Sequence, residues 1–244
     1  MPAASSIEIT AFTHQGRVRE NNQDSITVAG WVSDVAMSGL RRSRHGLDEP
    51  LMCAIADGLG GHNAGNVASR YTVKRLAVQT YGGGAASVSA ALAAINAELY
   101  QTMTADRSLL GMGTTVVGLL LSADKVVWFN VGDSRLYRDR DGALHQISVD
   151  DVPAGRRTGM LTQSLGGSFV PTPVAPHIGT DALTVPSRWL LCSDGLTDML
   201  DVDAIARCMA ADDEEAARSL FEKAMAAGGH DNFSIIIVSV QHPD

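Results

Sequence analysis

The order of elements in the sequence predicts an α+β fold built on antiparallel sheet, and three observations carry that expectation. Strand-like runs rich in Val, Ile and Leu recur at residues 7–13, 25–32, 51–56, 115–121, 126–131, 135–138, 143–149, 188–193 and 233–240, bounded by Gly, Asp or Asn. Helical periodicity falls in two batches, one after the early strands and one just before the last strand. Strict strand–helix alternation is missing, which disfavours a doubly wound parallel sheet. Helices gathered in two batches can cover two opposed sheet faces.

Taken in order, the first helix is predicted from Ala64, Val67, Tyr71 and Val78, which share one face, and the second from Val88, Leu92, Ile95, Leu99 and Met103. The middle strands read as hairpins. One is centred on Ala123-Asp124 and the next on Asp141-Gly142, a strong tight-turn dipeptide. A third helix follows from Val202, Ile205, Ala206 and Met209. The fourth, about residues 213–227, carries acids in its first turn and is followed by Gly228-Gly229.

The chain has 244 residues, consistent with one domain over residues 1–244, and 27 acidic against 19 basic side chains give a net charge of −8. That balance argues against a binder of nucleic-acid backbones. Cys53, Cys192 and Cys208 are odd in number and lack CxxC spacing, so neither a disulfide framework nor a zinc site is expected. The N-terminus lacks a basic region followed by an apolar stretch, and the uncharged run at 108–123 is too short and glycine-broken to span a membrane. The expectation is a cytoplasmic monomer.

Four segments place an aspartate at a strand end beside Gly or Asn: Asp24 and Asp231 before strands, Asp57 and Asp194 after them. In antiparallel sheet, one strand's start lies beside its neighbour's end, so all four can line one rim. The hairpin register sets Asp133 opposite Asp150 and near Thr114. Aspartates crowded on one rim repel unless cations sit between them, and all-oxygen ligands select Mg²⁺ or Mn²⁺ over zinc.

These residues are similar, in order along nearly the whole chain, to the bacterial form of the metal-dependent Ser/Thr protein phosphatases of the PP2C (PPM) type. The motifs are GRVRENNQD at 16–24, ADGLGGHNAG at 56–65, GMGTT at 111–115, VGDSR at 131–135, LTQSLG at 161–166, LCSDGLTD at 191–198 and GHDNFS at 229–234. The resemblance implies a four-layer α-β-β-α sandwich holding two Mn²⁺ or Mg²⁺ ions. Asp57 would bridge them, the Gly58 carbonyl would serve one, and Asp194 and Asp231 the other. Asp24 would act through metal-bound water. A third ion would sit on Asp133, with Asp150 as a further carboxylate. Water of lowered pKa would attack phosphorus, Arg19 (with Arg17 the neighbour it must be told from) would grip the phosphate, and His62 would protonate the leaving alkoxide. The implied partners are a phosphorylated Ser/Thr protein and the kinase it opposes, with type VI secretion control as one pathway.

Two departures from the family stand out. Only nine residues, 152–160, form the flap between the segments at 148–151 and 161–166, and Asp151 stands where the family commonly has His. The connection at 30–50 is long and carries the basic cluster Arg41-Arg42-Ser43-Arg44-His45, expected as a loop or a docking site some distance from the metals. The competing reading is a binding or sensor module that keeps the fold without turnover. P-loop, Rossmann and serine-hydrolase readings fail for want of their motifs.

Overall fold

The computed structural model describes residues 6–59, 64–82, 84–140, 142–154 and 160–241. Strands β1 (Ser6–His14), β2 (Asp24–Val28), β3 (Trp31–Ser33), β4 (Arg41–His45) and β5 (Leu51–Leu59) precede helices α1 (Ala64–Val78) and α2 (Ala85–Ala105). Then come β6 (Gly113–Thr114), β7 (Val116–Leu121), β8 (Lys125–Val131), β9 (Arg135–Arg140), β10 (Ala143–Gln146), β11 (Leu165–Gly166), β12 (His177–Ala182) and β13 (Ser187–Cys192). The short α3 (Asp194–Thr197), α4 (Val202–Met209) and α5 (Asp213–Ala226) lead to β14 (Phe233–Gln241).

Two sheets result, with every pairing among the described residues antiparallel. One runs β10-β9-β13-β14-β1-β4. The other runs β11-β6-β5-β7-β8-β12, with β2 and β3 joined through β5. Alternation along single strands shows why the layers stack. On β14, Ile236, Val238 and Val240 enter the core between the sheets, while Ile235 and Ile237 pack under the α3–α5 layer. On β5, Leu51, Cys53 and Ile55 join the inter-sheet core, while Met52 and Ala54 pack against α1 and α2. Both faces of these strands are buried, so both residue parities are apolar, and each fully buried Ile or Val stabilises by roughly 1.5–3 kcal/mol relative to exposure. The four-layer α-β-β-α sandwich is therefore the observed fold.

The hairpin registers agree with the expectation. Val116 faces Val131 and Ala143 faces Arg140, so both turns centre where the sequence placed them. Several details differ: β12 falls outside every predicted run, and Val202, expected on the buried face of α4, is exposed. The run at 25–32 divides into β2 and β3, because Ala29 and Gly30 take positive φ (48° and 83°) and make a tight turn. The basic cluster is not a loop: Arg41–His45 is an edge strand paired to β1. Arg42 bonds Glu214 and Arg44 bonds Glu8, each at 2.6 Å, and the Arg41 guanidinium lies 4.3 Å from the Trp31 ring centroid. Exposed pairs of this kind add little stability, but charge on an edge strand discourages pairing with another chain. Finally, Val78 is 74% exposed, and α1 buries Ala68, Thr72, Val73 and Leu76 instead.

Candidate active site

The Asp24 start of β2 lies directly beside the Asp57 end of β5 in the ladder. Asp57 is held by the segment at 113–115. Thr114 Oγ1 and the Thr115 N–H both donate to the Asp57 carbonyl (2.8 and 2.9 Å), and Thr115 Oγ1 accepts from the Asp57 N–H at 3.2 Å. The Gly58 N–H donates to the Gln23 carbonyl. A Cβ on Gly58 would collide with the Gly65 backbone, so glycine lets the start of α1 close onto the end of β5.

From the other sheet, β13 ends just before Ser193, with Asp194 opening α3, and β14 begins just after Asp231-Asn232. Ser193 Oγ and Ser234 Oγ both donate to Asp24 Oδ2, at 2.8 and 2.6 Å. Asp24 thus bridges the two sheets. It is fully buried and does not line the pocket that opens above it. These two serines are site residues that the sequence reading quoted inside motifs without a role. Asn232 is another. Its amide donates to the carbonyls of Gln15 and Asn21 and its oxygen accepts from the Gln23 N–H, which fixes the loop carrying Arg19.

The pocket is polar, about 500 Å³, and is lined by Arg19, Asp57, Gly58, Asp133, Asp194 and Asp231 among others. Arg19 Nη2 donates to Asp231 Oδ2 at 2.6 Å. Arg17 is not among the lining residues; its N–H bonds the Gly229 carbonyl. Asp133 sits in the turn after β8, as the hairpin register requires. Asp150 behaves differently. Its carboxylate accepts from Arg135 Nε and Nη2 (2.9 and 2.7 Å) and from Gln146 Nε2 (2.7 Å), so it serves an ion pair rather than standing free beside Asp133. His62 lies outside the described residues, as do Arg156 and Arg157 of the flap.

Crowding and burial set the electrostatics. Burial, then the charges of Asp24, Asp194 and Asp231, push Asp57 well above the usual carboxylate range. Burial, then Asp133, Asp231 and Asp24, push Asp194 up to about 7. Burial likewise lifts Asp24 to about 6, offset in part by the two serine hydroxyls, and raises Asp133. Burial is the largest cause in each case.

These residues fit divalent cations by their donor chemistry. Oδ1 of Asp194 and Oδ1 of Asp24 are buried without a hydrogen-bond partner, an arrangement that costs free energy unless something positive approaches. Among the described residues, no three His, Cys, Asp or Glu side chains close on one point as a ready-made cage. The carboxylates form an open rim, with Asp231 turned to Arg19. The backbone is arranged and the side chains remain to be drawn in.

One position tests how tightly this rim is built. A Cβ on Gly195 would collide with the Asn232 carbonyl, which is backbone and cannot swing aside. Gly195→Ala is expected to destabilise the protein by about 2–3 kcal/mol, read as a lowered urea midpoint. An unchanged midpoint would show that the two strand ends are not in close contact.

Comparison with known proteins bears on the family and the fold. A family model described as Protein phosphatase 2C matches residues 41–230. Serine/threonine protein phosphatase PstP of Mycobacterium tuberculosis is 31% identical over 255 residues, covering 96% of this chain and 45% of PstP. This chain therefore spans less than half the length of that relative. The crystal structure of the PstP catalytic domain in complex with two manganese ions matches with a TM-score of 0.80, at 30% identity, covering 97% of this chain and 99% of that one. Protein phosphatase PhpP of Streptococcus pneumoniae is 29% identical over 263 residues, covering 98% of this chain and 99% of PhpP. PppA, described as a key regulatory component of T6SS in Pseudomonas aeruginosa, superposes with a TM-score of 0.80 at 25% identity, covering 97% of this chain and 99% of that structure. With the family model matching most of its length and relatives at 30% identity or more covering nearly all of it, this chain belongs to the protein phosphatase 2C family.

Proposed function

We propose that this chain is a divalent-metal-dependent phosphoprotein phosphatase that hydrolyses phosphoserine and phosphothreonine and opposes a Ser/Thr kinase. The observation that carries the reading is the meeting of three strand-end carboxylates, Asp57, Asp194 and Asp231, with Arg19 in one polar pocket. Mn²⁺ or Mg²⁺ bound there would supply Lewis acidity and water of lowered pKa for attack at phosphorus. Asp57 would be shared between two ions, with the Gly58 carbonyl, Asp194 and Asp231 completing the set. Asp24 would support Asp57 from beneath, and Asp133 would serve a third. Arg19, which bonds Asp231 from the pocket wall, would present its planar fork to two phosphate oxygens. His62 would deliver the proton that the leaving alkoxide needs. The likeness to PppA makes type VI secretion control the pathway to examine first.

The test is hydrolysis of p-nitrophenyl phosphate and a phosphothreonine peptide in EDTA, Mn²⁺ and Mg²⁺. Activity is expected only with metal. Its absence under all three conditions would overturn the proposal and favour the sensor module. Arg19→Lys keeps the charge but loses the fork, so KM for the peptide is expected to rise by about tenfold with a smaller change in kcat. An unchanged KM would remove Arg19 from phosphate binding.

A further inference from the structure

We propose that Asp151 is a positioning residue that clamps the short flap to the turn carrying Asp133, so that one side chain sets two walls of the pocket. The inference deepens the phosphatase reading and rests on it for the meaning of the pocket, though not for the clamp itself.

Asp151 immediately precedes the nine-residue flap and is only 8% exposed. A carboxylate so enclosed persists where its oxygens are fully bonded, and here every polar atom of the residue is engaged. Its N–H donates to the Gly132 carbonyl at 3.0 Å, and its carbonyl accepts from the Thr162 N–H at 2.8 Å. Oδ2 accepts from the Gly132 N–H (2.8 Å) and from Gln163 Nε2 (2.9 Å). Oδ1 lies 2.9 Å from His177 Nε2 at the start of β12. Gln163 extends the clamp, since its amide bonds both the carbonyl and the N–H of Ala175.

Two consequences follow. Asp151 joins the described residues on either side of the flap, since it precedes residue 152 and bonds Thr162 and Gln163, and Leu161, beside these, lines the pocket. The other partner, Gly132, is the residue before Asp133. Its φ of 97° is tolerated by glycine, and a Cβ there would lie 2.6 Å from the Thr115 methyl, so the turn has little room to relax. Thr115 in turn bonds the Asp57 backbone and, at 2.7 Å, the Ser134 hydroxyl. A shift of Asp151 is therefore transmitted to Asp133 on one side and to the flap on the other.

The flap carries Arg156-Arg157, which makes trypsin a reporter that needs no catalysis. Asp151→Asn cannot accept from Gly132, Gln163 and His177 together. Trypsin cleavage at 156–157 in EDTA is expected to speed up by about tenfold, with cleavage elsewhere unchanged. In parallel, Mn²⁺ binding followed by electron paramagnetic resonance should lose its weakest site by about tenfold in affinity while the tighter sites hold. KM for the phosphopeptide should rise several-fold while kcat for p-nitrophenyl phosphate stays within about twofold. Gln163→Ala and His177→Ala each remove a single arm and should give smaller changes of the same kind, which keeps the proposal testable if Asp151→Asn does not fold. Cleavage that is unchanged, or that rises uniformly along the chain, would reduce Asp151 to general stabilisation and overturn the clamp. Loss of all hydrolysis in the wild type, with the tryptic result intact, would instead count against the phosphatase reading.

Discussion

Asp57→Asn will abolish metal-dependent hydrolysis, by about a thousandfold or more, and will at the same time make the metal-free protein more stable than the wild type. The two effects share one cause. Asp57 is half-buried near the end of β5, beside Asp24 and within the fields of Asp194 and Asp231, and desolvation and these charges together disfavour its charged form. Two like charges about 4 Å apart repel by roughly 4 kcal/mol at an effective dielectric of about 20. Only bound cations turn that repulsion into attraction. The neutral amide relieves the strain and forfeits the ligand charge. Urea midpoints in EDTA should therefore rank Asp57→Asn above wild type, and saturating Mn²⁺ should reverse the order. Equal midpoints in EDTA would mean that the carboxylate is not strained, and residual Mn²⁺-dependent turnover near the wild-type rate would dismiss Asp57 as a bridging ligand.

That pairing of roles was legible because of where strand patterns end. The uninterrupted apolar runs on β5 and β14 can only be strands with both faces covered, and an antiparallel arrangement then brings Asp24 beside Asp57. The hairpin at Ala123-Asp124 placed Asp133 near Thr114 by arithmetic alone, and the pairing of Val116 with Val131 keeps that register. What stayed hidden depended on side chains meeting across sequence. The same hairpin register sets Asp150 opposite Asp133, yet Arg135, two residues further along β9, captures the Asp150 carboxylate. Periodicity cannot reveal a competition between neighbours. Nor could it show that Ser193 and Ser234 converge on Asp24 from the opposite sheet. The strand at Arg41–His45 was obscured by its own charges: an edge strand needs only backbone pairing to β1, and its side chains find Glu8, Glu214 and Trp31 rather than a core. On α1, Val78 carries the right spacing but is the last residue of the helix and is exposed.

In EDTA, stability will fall as pH rises from about 4 to about 7, and Mn²⁺ will invert that slope. Asp24 and Asp194 sit at about 6 and about 7 in the folded protein, against an ordinary value of 3.8. Between 3.8 and those values the folded state holds protons that the unfolded chain has released, so the unfolded state binds fewer and stability declines with pH. The contribution is fully present below the unfolded value and lost once pH passes the folded ones. For Asp194 alone the window spans about 3 pH units at roughly 1.4 kcal/mol each, an upper bound of about 4 kcal/mol shared with its coupled neighbours. Exposed carboxylates with lowered values, such as Glu214 beside Arg218, act in the opposite sense but mainly in more acidic solution. The difference between wild type and Asp194→Asn isolates the effect, because the amide has no proton to release. That difference should be near zero at pH 4 and grow in favour of the variant up to pH 7. Divalent ions select the deprotonated carboxylates, so with Mn²⁺ present proton release accompanies binding and stability rises with pH instead. A wild-type curve that is flat or rising in EDTA over this range, or one that Asp194→Asn leaves unchanged, would show that the rim bears no electrostatic strain for the ions to relieve.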